Sequence, residues 1–136
     1  MKVLVDTNIW VSLFLGSERL TEIIEDSYSR HQILTSKGII HELETTLTKK
    51  LSYTSSEIEL ALVFVRRRSH VVEETVHVVK VCRDPADNHV LSAGLSGNAD
   101  CILTGDRDLL VLKQFQKIFI ISPKQFRDFE ENLRIS

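Results

Sequence analysis

The sequence predicts a three-layer α/β/α domain built around a central parallel sheet of four or five strands. Two observations support this fold class: short apolar runs alternate with helical patterns along the chain, and acidic residues follow several of those runs. Such alternation is typical of crossover units, in which each strand returns parallel to an earlier one. The carboxyl ends of parallel strands meet at one edge of the sheet, and that edge is where ligands bind.

Four short apolar runs are expected to form strands, and a fifth segment is ambiguous. The four runs are Lys2–Val5, Gln32–Thr35, Asp100–Thr104 and Ile118–Ile121. The fifth, Val71–Val81, contains Val76, Val78 and Val79, which favour extended structure. Its charged residues suit an edge strand or a connecting segment instead, so both interpretations stay open.

Residues that accept hydrogen bonds from free backbone N–H groups mark the predicted helix starts. Ser36 precedes a helix whose apolar face consists of Ile39, Ile40, Leu43, Leu47 and Leu51. Thr54-Ser55-Ser56, with Glu57 and Glu59, offers two capping boxes for a helix that runs to Arg68. The middle of that second helix is apolar nearly all round, so we expect more than one of its faces to be covered by other parts of the protein. A subunit interface is one way to cover such a face.

Three further helices are predicted in the second half of the chain. Asp84 can cap a helix that begins at Pro85 and ends near Gly97-Asn98. Asp106 can cap a helix whose apolar residues are Leu109, Leu110, Leu112 and Phe115. Ser122 and Gln125 form a capping box for the last helix, whose core face is expected to hold Phe126, Phe129 and Leu133.

Length and composition limit the number of domains and the classes of function that the chain can have. With 136 residues, 43% of them hydrophobic, the chain can bury a full core, so residues 1–136 are expected to form one domain. A net charge of −2 excludes a broadly basic nucleic-acid-binding protein, so contacts to nucleic acid would depend on local cations or on metal. Cys82 and Cys101 show neither a metal-ligand spacing nor a disulfide framework, which favours a cytoplasmic location. The apolar runs are too short to span a membrane.

Acidic residues near strand ends are the main functional signal. Asp6 directly follows the first strand, and Asp106 lies just beyond the strand that contains Ile102. Glu42 lies at the edge of a helix's buried face, and Asp87 lies in the first turn of its helix. Two carboxylates about 4 Å apart repel by roughly 4 kcal/mol at an effective dielectric constant of 20, so a cluster of them favours a bound cation. Mg²⁺ and Mn²⁺ suit hard oxygen ligands, whereas no loop carries the Ca²⁺ spacing of an EF-hand.

Some of these acids have a purely structural explanation as well. Asp84 fits the position of a helix cap, and Asp87 and Asp108 fall in first turns, where a negative charge suits the helix dipole. For Asp106 both roles remain open, because a capping carboxylate has a second oxygen.

Four segments, in order and at suitable spacing, resemble the PIN domain family over essentially the whole chain. They are Val3–Asn8, Glu42 in its helix, Arg83–Asn88 with the following Val90, Leu91 and Ala93, and Leu103–Leu110. The second and third segments are most similar to the branch that contains the toxin components of toxin–antitoxin pairs, such as the VapC-type toxins.

The resemblance implies an endoribonuclease that uses Mg²⁺ or Mn²⁺ to hydrolyse phosphodiester bonds of single-stranded RNA. It implies a catalytic and metal-binding site of Asp6, Glu42, Asp87 and Asp106. It further implies supporting roles for Asn8 and Thr104 and auxiliary roles for Asp84 and Asp108. A homodimer and an antitoxin protein are the partners that it implies.

Cations near the acids are candidates for binding RNA phosphates. Lys37, Arg83 and Arg107 each lie on a segment that carries an acid. The triplet Arg66-Arg67-Arg68 is a further patch, but complementing the negative end of its helix is the simpler explanation.

Two other functions remain open at the level of sequence. One is a non-catalytic module with the same scaffold that binds RNA or a protein. The other is a phospho-acceptor receiver domain, which also gathers acids and Mg²⁺ above a parallel sheet. Ser122-Pro123-Lys124 weakly favours the receiver domain, but that class has paired acids after its first strand, where this chain has Asp6-Thr7.

Overall fold

A computed structural model describes residues 1–78 and 80–135, and it confirms the predicted α/β fold with a central, mostly parallel sheet. The strands run in the order β3-β2-β1-β4-β6-β5 across the sheet. Their bounds are β1 Lys2–Val5, β2 Gln32–Ser36, β3 Ser69–Val72, β4 Cys101–Leu103, β5 Gln114–Phe115 and β6 Ile118–Ile121. Each neighbouring pair is parallel except β5 and β6, which form an antiparallel hairpin.

Helices connect the parallel strands and cover the sheet. Their bounds are α1 Thr7–Phe14, α2 Glu18–Arg30, α3 Lys37–Lys49, α4 Ser55–Arg68, α5 Pro85–Ser96, α6 Arg107–Leu110 and α7 Pro123–Ile135. The central strand β1 shows that both faces of the sheet are covered: Val3, Leu4 and Val5 point alternately to opposite faces, and all three are fully buried. Among the described residues, no helix combines the length and the apolar character needed to cross a lipid bilayer.

The predicted caps of α3, α4 and α5 are present, but the second capping box expected for α4 is not formed, because Ser56 lies inside that helix. The Ser36 hydroxyl accepts a hydrogen bond from the backbone N–H of Ile39 at 3.1 Å. Thr54 and Glu57 form a reciprocal capping box at the start of α4. Asp84 caps α5, and the helix ends at the predicted Gly97-Asn98, where Asn98 has a φ of 52°, a left-handed conformation common after helices. These short polar side chains explain why the helices begin where the sequence predicts.

The ambiguous Val71–Val81 segment is divided between a strand and a connection. Val71 and Val72 end β3, while Val76 and Val78 lie in the connecting segment; Val79 lies outside the described residues. The backbone N–H groups of Val76 and Val78 donate to hydroxyl groups of α5, at 3.0 Å and 2.8 Å. The connecting segment is therefore hydrogen-bonded to α5 and does not extend the sheet.

Three expectations about helices are corrected. The helix capped by Asp106 ends at Leu110, because Lys113 and Gln116 adopt positive φ values of 61° and 53° and turn the chain into the β5–β6 hairpin. Leu133, assigned to the core face of α7, is exposed. The predicted helices also omitted α2, although Ser17 caps it and its apolar residues share one buried face.

Candidate metal centre

Asp6 is held in a fixed position at the carboxyl end of β1. The carboxylate is buried, and its Oδ1 accepts a hydrogen bond from the Thr7 backbone N–H at 2.8 Å. Its Oδ2 accepts hydrogen bonds from the Thr104 hydroxyl at 2.8 Å and from the Asn8 side-chain amide at 3.0 Å. Since a carboxylate offers about four acceptor sites, these contacts orient Asp6 and leave little capacity beyond one further ligand.

The charge on Asp6 is disfavoured in the cation-free protein. Burial raises the pKa of Asp6, and the hydrogen bonds from Thr104 and Thr7 only partly oppose that rise. The negative charges of Glu42 and Asp106 raise the pKa further. A cation beside Asp6 would relieve both the desolvation and the repulsion.

Thr104 and Asn8 join the loop after β1 to the loop after β4. The Thr104 hydroxyl donates to Asp6 and accepts from the backbone N–H of Asp106 at 3.0 Å. The Asn8 side-chain oxygen accepts from the Gly105 backbone N–H at 2.9 Å. These hydrogen bonds place Asp106 next to Asp6, although the two residues are far apart in the sequence.

The structure brings together the carboxylates of Asp87, Asp106 and Asp108. Each offers an oxygen, and these oxygens lie within 4.8 Å of one another. Asp87 comes from the first turn of α5 and is buried; Asp106 is the half-buried N-cap of α6, and Asp108 is exposed in the first turn of that helix. Asp106 is thus both a cap, through its Oδ1 contact with the Asp108 N–H at 2.9 Å, and a member of the acidic cluster.

The negative charge of Asp87 is strongly disfavoured when no cation is bound. The pKa of Asp87 is raised from its ordinary value of 3.8 to about 7. Burial is the largest cause, followed by a side-chain hydrogen bond to Asp106 and by the charges of Asp106, Asp84 and Asp6. At neutral pH Asp87 is therefore partly protonated when no cation is bound.

The remaining predicted acids lie around this cluster rather than in it. Glu42 is exposed on α3, and its charge reaches Asp6. It lines a small cavity of about 90 Å³ between the first turns of α3 and α5, together with Ser36 and Ala86. Asp84 caps α5 by accepting from the Ala86 N–H at 3.0 Å. Of the four acids assigned to the site, the structure therefore groups Asp87 with Asp106, adds Asp108, and leaves Asp6 and Glu42 outside that group.

The three predicted RNA-binding cations are all exposed. Lys37 is the first residue of α3 and borders a cavity of about 530 Å³ next to the end of β3. Arg83 lies just before α5, where its guanidinium is 3.5 Å from the Asp108 carboxylate. Arg107 begins α6, between the two acids of that loop. All three are accessible to a solvent-borne phosphate, and Arg83 and Arg107 lie beside the clustered carboxylates.

One supporting residue was missed in the sequence. Asn88 is buried, and its side chain hydrogen-bonds both the N–H and the carbonyl of Cys82, at 2.8 Å and 3.1 Å. It thereby fixes the chain just before the helix that carries Asp87. In the sequence, Asn88 could have been recognised because it directly follows Asp87 in the Arg83–Asn88 segment, which resembles the PIN domain family. Cys82 itself is half-buried and Cys101 is buried, and both thiols are free.

The donor set fits a hard divalent cation. The clustered groups are carboxylates, which Mg²⁺ and Mn²⁺ prefer, and one of them retains a proton that a cation would replace. Asp6 adds an oriented carboxylate that is short of compensating charge. The residues present therefore fit the metal that the fold implies.

Comparison with known proteins places this α/β domain with its acidic edge in a family. The model of the PIN domain matches residues 2–108, so the chain belongs to the PIN domain family. No curated protein sequence matches the chain.

Two solved structures share the fold. One is VapBC2 from Rickettsia felis bound to a DNA fragment from its promoter, with 15% identity, a TM-score of 0.70, and coverage of 90% of this chain and 98% of that chain. The other is VapBC-1 from nontypeable Haemophilus influenzae, with 18% identity, a TM-score of 0.65, and coverage of 91% and 99%.

Proposed function

We propose that this PIN domain is a Mg²⁺- or Mn²⁺-dependent endoribonuclease that hydrolyses phosphodiester bonds of single-stranded RNA. The observation that carries the proposal is the approach of the Asp87, Asp106 and Asp108 carboxylates to within 4.8 Å of one another at the carboxyl edge of the sheet. Asp106 also caps α6 and Asp108 pairs with Arg83, but the three carboxylates still repel one another at this distance. A cation bound between the carboxylates would remove this repulsion and explain why they lie together.

The acids would have different roles in the site, depending on their position and burial. Asp6, Asp87 and Asp106 would hold the cation, with Asp108 completing the set and Glu42 facing the same space from α3. A bound divalent cation would supply positive charge that activates a water molecule and stabilises the departing 3′-oxygen. Thr104 and Asn8 fix the orientation of Asp6, so its carboxylate does not need to reorganise when RNA binds.

The RNA strand would be held through its phosphates. Lys37, Arg83 and Arg107 are the exposed cations on the acid-bearing segments, and phosphate contacts of this kind are independent of base sequence. The net charge of −2 keeps affinity for long nucleic acids modest.

We further propose that the chain is the toxin of a toxin–antitoxin pair, acting in the cytoplasm. The likeness to structures of VapBC2 and VapBC-1 supports this role. An antitoxin protein and a second copy of the chain are the proposed partners. Leu60 and Val63 are exposed on α4, where the sequence predicts a covered apolar face, and they offer a surface for such a contact.

The test is Mg²⁺-dependent cleavage of single-stranded RNA by the wild-type chain and by Asp6→Asn. We expect the variant to lose cleavage, while Asp128→Asn, a change at an exposed acid of α7, keeps it. Full cleavage by Asp6→Asn would refute the assignment of Asp6 to the metal site.

Calorimetric titration with Mn²⁺ tests the alternative of a non-catalytic RNA- or protein-binding module, because such a module need not bind metal. Stable phosphorylation of an aspartate by a small phosphodonor would instead favour a receiver domain.

A further inference from the structure

A second pocket lies at the edge of the sheet opposite the acids. It occupies about 490 Å³, where α2 and α4 end and β2 and β3 begin. This volume falls in the range of small-molecule sites, roughly 300–1,000 Å³. Its lining consists of Tyr28, His31, Gln32, Ile33, Arg67, Arg68, Ser69 and His70. No acid is among these lining residues, although Glu25 pairs with Arg68 and Glu130 pairs with His31 beside the pocket.

Arg68 is held rigidly at this pocket. Its Nε donates to the Glu25 carboxylate at 2.7 Å, and its guanidinium carbon lies 3.7 Å from the centroid of the Phe64 ring. Within the residues that the structure describes, its two terminal nitrogens have no hydrogen-bond partner. A fixed guanidinium with unused donors is suited to the oxygens of a phosphate group.

Arg67 and Tyr28 extend the site on either side of Arg68. Arg67 is exposed and has no ion pair within the described part of the chain, so its charge is available. The Tyr28 side chain is 52% exposed, and its ring centroid lies 5.7 Å from the Arg68 guanidinium carbon. An exposed aromatic ring beside the unpaired Arg67 and the free terminal nitrogens of the Glu25-paired Arg68 is a combination that can bind the base and the phosphate of one nucleotide.

We propose that this pocket binds a nucleotide unit, with its phosphate on Arg67 and Arg68 and its base stacked on Tyr28. A free mononucleotide and one unit of an RNA strand present the same chemistry. The proposal does not depend on the acids at the other edge, so it can fail or succeed separately from the nuclease function.

The experiment is calorimetric titration of the full chain in EDTA, so that a cation at the acidic edge contributes nothing. The three ligands are inorganic phosphate, adenosine monophosphate and a short single-stranded oligoribonucleotide. We expect the mononucleotide to bind more tightly than phosphate, and Arg67→Gln to weaken its binding by about tenfold, as loss of a charge-assisted hydrogen bond implies. Binding of the oligonucleotide alone, with the same dependence on Arg67, would identify a strand as the ligand.

Arg66→Gln is the matched control. Arg66 belongs to the same triplet but borders the surface between α3 and α4, so its replacement should leave nucleotide affinity unchanged. Tyr28→Leu should reduce the affinity for the mononucleotide but not for phosphate.

Three results would overturn the proposal. They are no binding of mononucleotide or oligonucleotide at millimolar concentration, equal affinity for phosphate and mononucleotide, or equal losses in the Arg66 and Arg67 variants. Thermal unfolding is measured in parallel. A lower melting temperature of Arg67→Gln with unchanged affinity would show that the arginine only complements the carboxyl end of α4.

Discussion

Replacement of Asp87 by Asn should remove much of the loss of stability that the cation-free protein undergoes as the pH rises toward neutrality. In the folded chain the pKa of Asp87 is raised from 3.8 to about 7, chiefly by burial and by its contact with Asp106. The folded state therefore binds a proton that the unfolded chain has lost. Because the folded-state pKa is the higher one, this group favours folding at low pH, and that contribution is lost as the pH rises toward 7.

The size of the effect follows from proton linkage. One proton held only by the folded state gives a limiting slope of about −1.4 kcal/mol in the free energy of unfolding per pH unit. With the folded-state pKa near 7, roughly 2 kcal/mol should be lost between about pH 5 and about pH 7. Asp87→Asn has no such ionisation, so it should gain stability over the wild type by a similar amount near neutral pH.

Urea unfolding in EDTA at a series of pH values measures this difference. Asp128→Asn is the control, because that acid lies on α7, away from the cluster, and its variant should keep the wild-type slope. Added Mg²⁺ should restore stability to the wild type at neutral pH, and less so to Asp87→Asn, since a ligand stabilises only the state that binds it. Equal pH slopes for the wild type and Asp87→Asn would refute the reasoning.

Three further predictions test other parts of the structure. Thr104→Val removes hydrogen bonds to Asp6 and Asp106 and should weaken Mn²⁺ affinity by about tenfold in calorimetry, whereas Thr104→Ser should retain it. Leu43→Ala empties a fully buried position and should cost about 2–5 kcal/mol in urea unfolding, against about 0.5 kcal/mol or less for the exposed Leu60→Ala. Arg83→Gln should lower RNA affinity and reduce the slope of log affinity against log salt by about one, measured by fluorescence anisotropy.

The fold was largely predictable because its signals are local. Ser36, Thr54 and Asp84 each satisfy backbone N–H groups within three residues, so their effect can be read from the sequence. The β5–β6 hairpin was not predictable in this way. It depends on positive φ at Lys113 and Gln116, residue types that do not favour such a conformation, so pairing with β6 decides the outcome there.

The candidate site was predictable in outline but not in membership. Acids at the ends of parallel strands must share an edge of the sheet, so Asp6 and Asp106 could be assigned to it. Whether Asp108 or Glu42 lies closer to Asp87 depends on how α5 and α6 are oriented relative to α3, and no local pattern encodes that orientation. Asp108 joins the group because the first turn of α6 lies beside the first turn of α5.

The hydrogen bond from Thr104 to Asp6 joins residues 98 positions apart. Contacts of such long sequence separation form late, because the loop between them must first close. A chain still being synthesised therefore has no oriented Asp6 until β4 and the loop after it have been made. If the proposed nuclease is a toxin, its activity begins only after residue 104 has been made and the loop has closed, which leaves time for a partner to meet the chain first.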